Sequence, residues 1–548
     1  MMDTRSMETI TFLGAVLGVA SHLGYFIRGE YHLQSTRILA LFVFSPAILF
    51  FTILRYENNN SYFEAGKVTA IVTGSYTTTL VTSMLIYRAF FHPLRAFPGP
   101  LSLKLSKFSH VFYIAKKSRN YIFAGELFKQ YGEFVRIGPN ELITTSPQAV
   151  AAILGPGSKC SKSPWYDSVI YPNKSLNLER DRVAHDKRRK IWDRAFNVKA
   201  LREYEGRVIG FTDELVAQLH ANSGKAVNAS RWFNFFAFDI MGDMAFSKSY
   251  DMLKTGEQHG MIKLLQEAMA PLGTLTPIDW ILPLLQDLPG LSADVKKFLQ
   301  YNKEKTTERK TYTPKYPDLF SYLINAEKQS DDPIYKDPRW FIGDCGLVIV
   351  AGSDTISTTL THMFYHLARS PRIFAKLRAE LDSFYKPGSE TEFKDLQEAT
   401  YLNGVINETL RLHPPTPSGL QRQTPPRGII IGSIFIPGNV TISTPFYSLG
   451  RLESCYKDAE EFIPERWGEK PEMILNKAVF VPFSLGPFAC VGKQLALMEL
   501  RNVTARIMKE FKFEFAPGED GSALLENSRD TFTMALEPLM LVFTKRTN

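Results

Sequence analysis

Three apolar runs open this chain, and they constrain its fold more than any other feature. They cover Ile10 to Ile27, Ile38 to Leu54 and Val68 to Phe90, each close to the roughly 20 residues a helix needs to cross hydrocarbon. Inside a bilayer the backbone has no water to bind, so a crossing run has to be helical. The third run reads as the strongest, because His22 interrupts the first and Pro46 the second. A cleaved secretory leader is disfavoured: no basic segment leads the first run, and two more apolar runs follow it. After the third run come Arg88, Arg95, Lys104, Lys107, Lys116, Lys117 and Arg119, a cationic flank that the positive-inside rule keeps cytosolic. The expectation is a membrane anchor over 1–91 with up to three transmembrane helices and a lumenal N-terminus. The segment from Arg55 to Lys67 then lies in the lumen, where the sequon Asn59-Asn60-Ser61 makes Asn59 a glycosylation candidate.

The rest of the chain is of a different kind. Residues 92–100 (His92-Pro93-Leu94-Arg95-Ala96-Phe97-Pro98-Gly99-Pro100) cannot continue a helix and read as a stiff, extended hinge. From 101 to 548 there is no repeat, low-complexity tract or Gly/Ser linker, so this stretch reads as one globular unit. The full chain's 64 basic and 56 acidic residues give a net charge of +8; they are intermixed, which argues against nucleic-acid binding. The four cysteines, Cys160, Cys345, Cys455 and Cys490, lack zinc or disulfide spacing. Periodic apolar residues bounded by breakers predict helices over Trp340 to Ala368, Tyr401 to Leu412 and Leu495 to Phe511. A strand, a Gly-Pro-Asn turn and a second strand are predicted over Phe134 to Ile143, and a small sheet over Gly428 to Pro445. The fold class is mainly α with a minor β-sheet region.

One loop concentrates the chemistry. Phe483-Ser484-Leu485-Gly486-Pro487-Phe488-Ala489-Cys490-Val491-Gly492 is rich in breakers and delivers a cysteine just before a helix. A helix N-terminus lowers a thiol's pKa and favours the thiolate as a metal ligand. Taken alone, a buried cysteine is more often a small apolar filler. The loop resembles the haem-binding loop of the cytochrome P-450 family, with Phe483, Gly486, Cys490 and Gly492 on four of its five motif places. The resemblance implies that Cys490 is the axial ligand to the iron of haem b, its thiolate favouring O–O cleavage. The fifth place, an arginine in the family, holds Phe488, which removes one cation from the haem propionates. The implied architecture is a cytochrome P-450 fold behind N-terminal transmembrane helices.

Other motifs follow in the family's order. Glu408-Thr409-Leu410-Arg411, followed by Leu412-His413-Pro414-Pro415, resembles the family's Glu-x-x-Arg helix. Phe462 to Trp467 resembles the segment that supplies a further arginine, so Glu408, Arg411 and Arg466 are expected to form a buried structural charge network. Ala351-Gly352-Ser353-Asp354-Thr355 sits inside the long apolar helix although Gly and Asp are poor helix residues. Taken alone, it reads as a tight helix crossing at Gly352 and a backbone-bonded threonine. It resembles the oxygen-activating motif, which gives Asp354 and Thr355 the acid–alcohol role of proton delivery. For the propionates the resemblance points to His185 and Arg189, within a basic run, and to Arg422.

Together these resemblances imply a membrane-bound monooxygenase that inserts one oxygen atom of O2 into an apolar small molecule and releases the other as water. They point to fungal microsomal enzymes of secondary metabolism acting on a terpenoid, alkaloid or polyketide. No dinucleotide fingerprint such as GxGxxG is evident, so electrons are expected from NADPH through a partner reductase, with the basic surface near Lys493 facing it. The expected location is the endoplasmic reticulum membrane, with the catalytic domain cytosolic. Two alternatives are a haem-thiolate isomerase or dehydratase, against which Asp354-Thr355 speaks, and a non-catalytic membrane haem protein. The stretches Trp165 to Leu178 and Ala268 to Leu288 resemble substrate-recognition loops.

Overall fold

The computed structural model describes residues 4–56, 61–288, 290–384 and 393–546. Helix α1 spans Thr4–Ser21 and runs on as a π turn to Phe26, α2 spans Ser35–Tyr56, and α3 spans Tyr62–Ile86 with a π turn to Phe91. Asn59 lies outside the described residues.

Helices α1 and α3 run parallel in a fixed register. A Cβ at Gly14 would strike the Ser75 hydroxyl and one at Gly18 that of Thr79. One turn on, His22 Nδ1 meets Ser83 Oγ at 2.8 Å, again 61 residues apart. Small residues four apart allow this close approach. Helix α2 returns antiparallel, pairing Phe42 with Tyr76 and Phe50 with Tyr62. An up–down–up order of three helices results.

The expected ranking of the runs is overturned. Segments Arg5–Phe26 and His32–Tyr56 are long and apolar enough to cross a membrane, with mean hydropathies of 1.4 and 2.2. The third N-terminal helix is not among those that qualify, because hydroxyls replace aliphatic groups along it. Those hydroxyls are turned inward: Thr73 donates to Thr69 O (2.6 Å) and Thr79 to Ser75 O (2.8 Å). The remaining helix that qualifies, Pro338–Arg369, is mostly buried.

The hinge also differs from expectation. It turns tightly, with Arg95 N donating to His92 O and Phe97 N to Leu94 O. It then docks on strand β1 (Phe134–Gly138) through Arg136 N to Pro98 O at 2.7 Å. Gly99, at φ +144°, lies against the Arg136 carbonyl, where a Cβ would not fit. Leu94 is fully buried, so packing fixes the segment.

Strands β1, β2 (Glu141–Thr144), β3 (Ser161–Lys162), β5 (Arg422–Gln423) and β8 (Thr441–Ser443) form one sheet in the order β1-β2-β8-β5-β3. Only β2 and β8 pair in parallel; β3 and β5 pair antiparallel with Lys162 opposite Arg422. A second sheet has β4 (Ala226–Asn228), β12 (Met540–Lys545) and β9 (Phe511–Phe515) in that order. Hairpins β6 (Ile429–Ile431) with β7 (Ile434–Ile436), and β10 (Arg529–Thr531) with β11 (Thr533–Ala535), complete the set. The helix after the cysteine loop is Lys493–Glu510; Phe511 already begins β9.

The long core helix Pro338–Arg369 organises the main hydrophobic cluster. Asp337 caps it by accepting from Arg339 N, with Pro338 at the first position. It packs against helix Ala229–Phe246 at Gly352, where a Cβ would collide with Met241. Ser353 Oγ donates across the same crossing to Ala237 O (3.1 Å). The tight-crossing reading of Gly352 is what the packing shows.

Candidate functional site: a cysteine loop ringed by bases

Local bonds hold the loop in shape. Cys490 N donates to Phe483 O (2.8 Å) and Ala489 N to Gly486 O (3.1 Å). Gly486, at φ +65°, lies against the carbonyls of Leu154 and Gly155, where a Cβ would come within 2.7 Å; only glycine suits that conformation and that gap. Gly492 caps helix Lys493–Glu510 and would hold a Cβ 3.9 Å from Cys490 Sγ. Cys160, Cys345 and Cys455 are buried, whereas Cys490 has accessible surface.

The Cys490 thiol differs from expectation. Protein packed around the sulfur pushes its pKa up; the amides of Gly492 and Lys493 and the Arg189 charge oppose that shift without reversing it. Desolvation outweighs the helix N-terminus here. A thiol of this kind gives up its proton in exchange for a metal.

The basic helix Arg182–Ala195, capped by Asp181, flanks the loop. Arg189 Nη1 donates to Ala489 O (2.6 Å), clasping the residue before the cysteine, while its Nε donates to Asp193 (2.7 Å). His185 presents its ring edge to Phe488 at 4.7 Å. Burial and the nearby Lys162 hold His185 down at about 4, so near neutral pH it offers a neutral imidazole rather than a cation. Between them, Arg188 turns inward to a buried pair with Asp344 (2.8 Å). Asp344 also accepts from Leu176 N, which ties the basic helix to the core helix. Arg422, 2% exposed, donates Nη1 to Gln421 O (3.0 Å).

On the core helix, Thr355 Oγ1 donates to Ala351 O (2.8 Å) and Asp354 Oδ2 accepts from Thr533 Oγ1 of β11 (3.0 Å). The backbone-bonded reading of Thr355 thus describes its donor, and its lone pairs stay available. The Asp354 residue is half-buried, yet enclosure of its carboxyl pushes the pKa up to about 7, against the Thr533 bond. Thr533 carries no signal in the sequence, because β11 lies far from the core helix along the chain.

Glu408, Arg411 and Arg466 come together. Glu408 accepts from Arg411 (2.7 and 2.9 Å), Arg466 Nε (2.9 Å), Trp467 Nε1 (2.9 Å) and Ile463 N (2.8 Å). All three charged side chains are buried, and the arginines' other N–H groups reach backbone carbonyls such as Ala459 O and Lys457 O. The two candidate substrate loops meet at one cavity lined by Trp165, Tyr166, Leu272, Thr276, Asp530 and Phe532.

These residues fit a haem. The donor set pairs a lone cysteine thiol with clustered bases, and two buried donors beside them, Arg422 Nε and Trp165 Nε1, have no hydrogen-bond partner. Buried donors require acceptors, and carboxylates at the edge of a macrocycle are of the right kind.

Comparison with known proteins shows the family. The Cytochrome P450 family model matches residues 98–543, and the chain belongs to that family. It is 40% identical over 534 residues to the cytochrome P450 monooxygenase FCK2 of Fusarium pseudograminearum, covering 97% of each chain. Tryprostatin B 6-hydroxylase of Aspergillus fumigatus is 38% identical over 97% of this chain and 95% of its own. The cytochrome P450 monooxygenase notG' of Aspergillus versicolor is 37% identical over 99% of both. The protein is a haem-thiolate monooxygenase anchored by apolar N-terminal helices.

Proposed function

We propose that the chain is an NADPH- and O2-dependent monooxygenase of the endoplasmic reticulum membrane that oxidises an apolar fungal secondary metabolite. Residues 1–91 form the anchor, 92–100 the hinge and 101–548 the catalytic domain. Cys490 is the axial ligand; the exposed cysteine residue in its clasped loop, beside the basic helix, carries this reading. When bound, the haem supplies O2 activation. Around it, Arg189, Arg422 and His185 orient the carboxylates, Asp354 holds a proton near pH 7, and Thr355 accepts a hydrogen bond from a water and so positions it to relay the Asp354 proton. Glu408, Arg411 and Arg466 brace the fold behind the haem. Lys493, with the exposed Lys190 and Arg194, forms a basic face for an acidic reductase.

The α1–α2 turn supports the topology. Glu30 pairs with Arg180 (2.9 Å) and His32 with Asp167 (3.2 Å), so this turn and the catalytic domain share one side of the membrane. Asn59 then faces the lumen, and endoglycosidase should shift the wild type but not Asn59→Gln.

The tests are spectral and chemical. With a reductase, NADPH and 18O2, a secondary-metabolite extract should yield products heavier by one labelled oxygen, and two relatives named as hydroxylases support that outcome. Cys490→Ser should lose the thiolate-haem spectrum under CO; retention of that spectrum would refute the ligand assignment.

A further inference from the structure

The cavity where the two candidate substrate loops meet holds a buried acid without a counter-ion. Asp530, on strand β10, lines that cavity and is 6% exposed. Its carboxyl receives two neutral hydrogen bonds, from Ser418 Oγ and from Phe532 N (3.1 Å), and no basic side chain pairs with it among the described residues. Glu141, another acid on the cavity wall, does have a cation in Lys107 (2.6 Å).

A chain of donors ends on Asp530. His110 Nε2 meets Asn120 Oδ1 (2.7 Å), Asn120 Nδ2 donates to Ser418 Oγ (3.0 Å), and Ser418 donates to the carboxyl. Burial holds the His110 ring down at about 4, so it is neutral near pH 7. An amide oxygen only accepts, which puts the single ring proton on Nε2 and leaves Nδ1 as an acceptor. His110 lines the same cavity, and that buried Nδ1 has no partner. Both ends of the chain therefore offer acceptors and call for donors.

Part of what Asp530 does is structural. Its bond to Phe532 N braces the tight turn between β10 and β11, where Phe532 sits at φ +83° and stacks on Trp165 with centroids 5.2 Å apart. An asparagine makes the same bond, so the turn does not account for the charge. Burial pushes the Asp530 carboxyl up to about 6, which still leaves it mostly an anion near pH 7, and a buried anion without a cation is costly. The hairpin that presents Asp530 to the cavity also bonds Asp354 through Thr533, and so joins this wall to the helix of the proposed proton donor.

We infer that Asp530 binds a protonated nitrogen of the substrate, so that the apolar molecule oxidised here is a lipophilic amine. This rests on the monooxygenase function proposed above and names its substrate class. A neutral molecule filling the cavity would seal the acid away without a partner, whereas an ammonium N–H supplies both the charge and the donor.

The experiment partitions a secondary-metabolite extract with acid into basic and neutral fractions and incubates each with full-length, haem-loaded enzyme, a reductase, NADPH and 18O2. Labelled product should come from the basic fraction. For that substrate Asp530→Asn should raise KM about tenfold or more, the factor one charge-assisted hydrogen bond carries; kcat should change much less, and the thiolate-haem spectrum under CO should persist. Asp530→Glu should recover part of the loss. Dialysis gives a readout free of turnover: the resting wild type should concentrate the basic substrate, and Asp530→Asn should not. If Asp530→Asn does not accumulate holoenzyme, Asp530→Ser, whose hydroxyl also caps such a turn, takes its place. Labelled product from the neutral fraction alone, or a basic substrate whose KM and binding ignore the loss of the carboxylate, overturns the inference; no labelled product from either fraction overturns the parent reading instead.

Discussion

Thr355 spends its proton on Ala351 O, so in the proposed proton delivery it meets a water as an acceptor, with Asp354 beside it as the proposed acid. Thr355→Ala should keep the thiolate-haem spectrum and NADPH consumption, with product formed per NADPH falling about tenfold or more and peroxide rising, within the range of general acid–base effects. Thr355→Ser should recover much of the coupling. Wild-type coupling in Thr355→Ala would reduce the residue to helix packing. The Thr533 bond favours the charged form of Asp354. Thr533→Val should therefore raise the pKa further and move the alkaline limb of the pH–rate profile to higher pH; an unmoved limb would separate Asp354 from turnover. At this scale the sequence is informative only where chemistry is local. Cys490 and Glu408 sit in short strings whose order identifies them. Thr533 meets Asp354 from a strand remote in the chain, and nothing beside it announces its partner.

Elements obey the same division. Helix Thr400–Leu412 was legible because its apolar period and its Pro-rich stop are both local, yet the acceptors that complete its one arginine, Arg411, lie 39 to 50 residues on, in an irregular segment. Removing the shared carboxylate in Glu408→Ala should destabilise the enzyme by about 3–5 kcal/mol, because two buried guanidinium groups lose their counter-ion. Thermal unfolding checks this, and a loss under about 1 kcal/mol would contradict it. In the anchor, ranking the runs by their interruptions overrated α3, whose hydroxyls lower its hydropathy and are hidden in its own backbone and against a glycine face. The α1–α3 register gives a sharp test: Gly14→Cys with Ser75→Cys should cross-link in membranes under mild oxidation, and Gly14→Cys with Thr82→Cys, about 10 Å further along the helix, should not. The reverse result would refute parallel packing.

Acid should weaken the whole molecule. Burial holds His110, His185 and His362 down at about 4, and His366 and His413 well below their usual range; unfolding frees them to titrate near 6.5. Below that pH the unfolded chain binds the extra protons, so stability is lost as pH falls from about 6.5 toward 4. Burial raises Asp354, Asp530 and Glu499, which bind protons in the folded state and act in the opposite direction. Between pH 7 and 5, where the imidazoles of the unfolded chain titrate, the histidines set the sign. Denaturant midpoints at pH 7, 6 and 5 measure this, and a flat or rising series would refute it.

The salt-bridged turn between α1 and α2 bears on motion as well as topology. A domain joined to a bilayer at one point swings like a buoy, sampling every tilt. Here the end of α3 makes one fastening and the Glu30–Arg180 contact a second, and two fastenings define an axis. Only rocking about that line remains, which narrows the tilts open to the catalytic domain. Partners held in the same plane then meet a narrower range of orientations than a singly tethered domain would present.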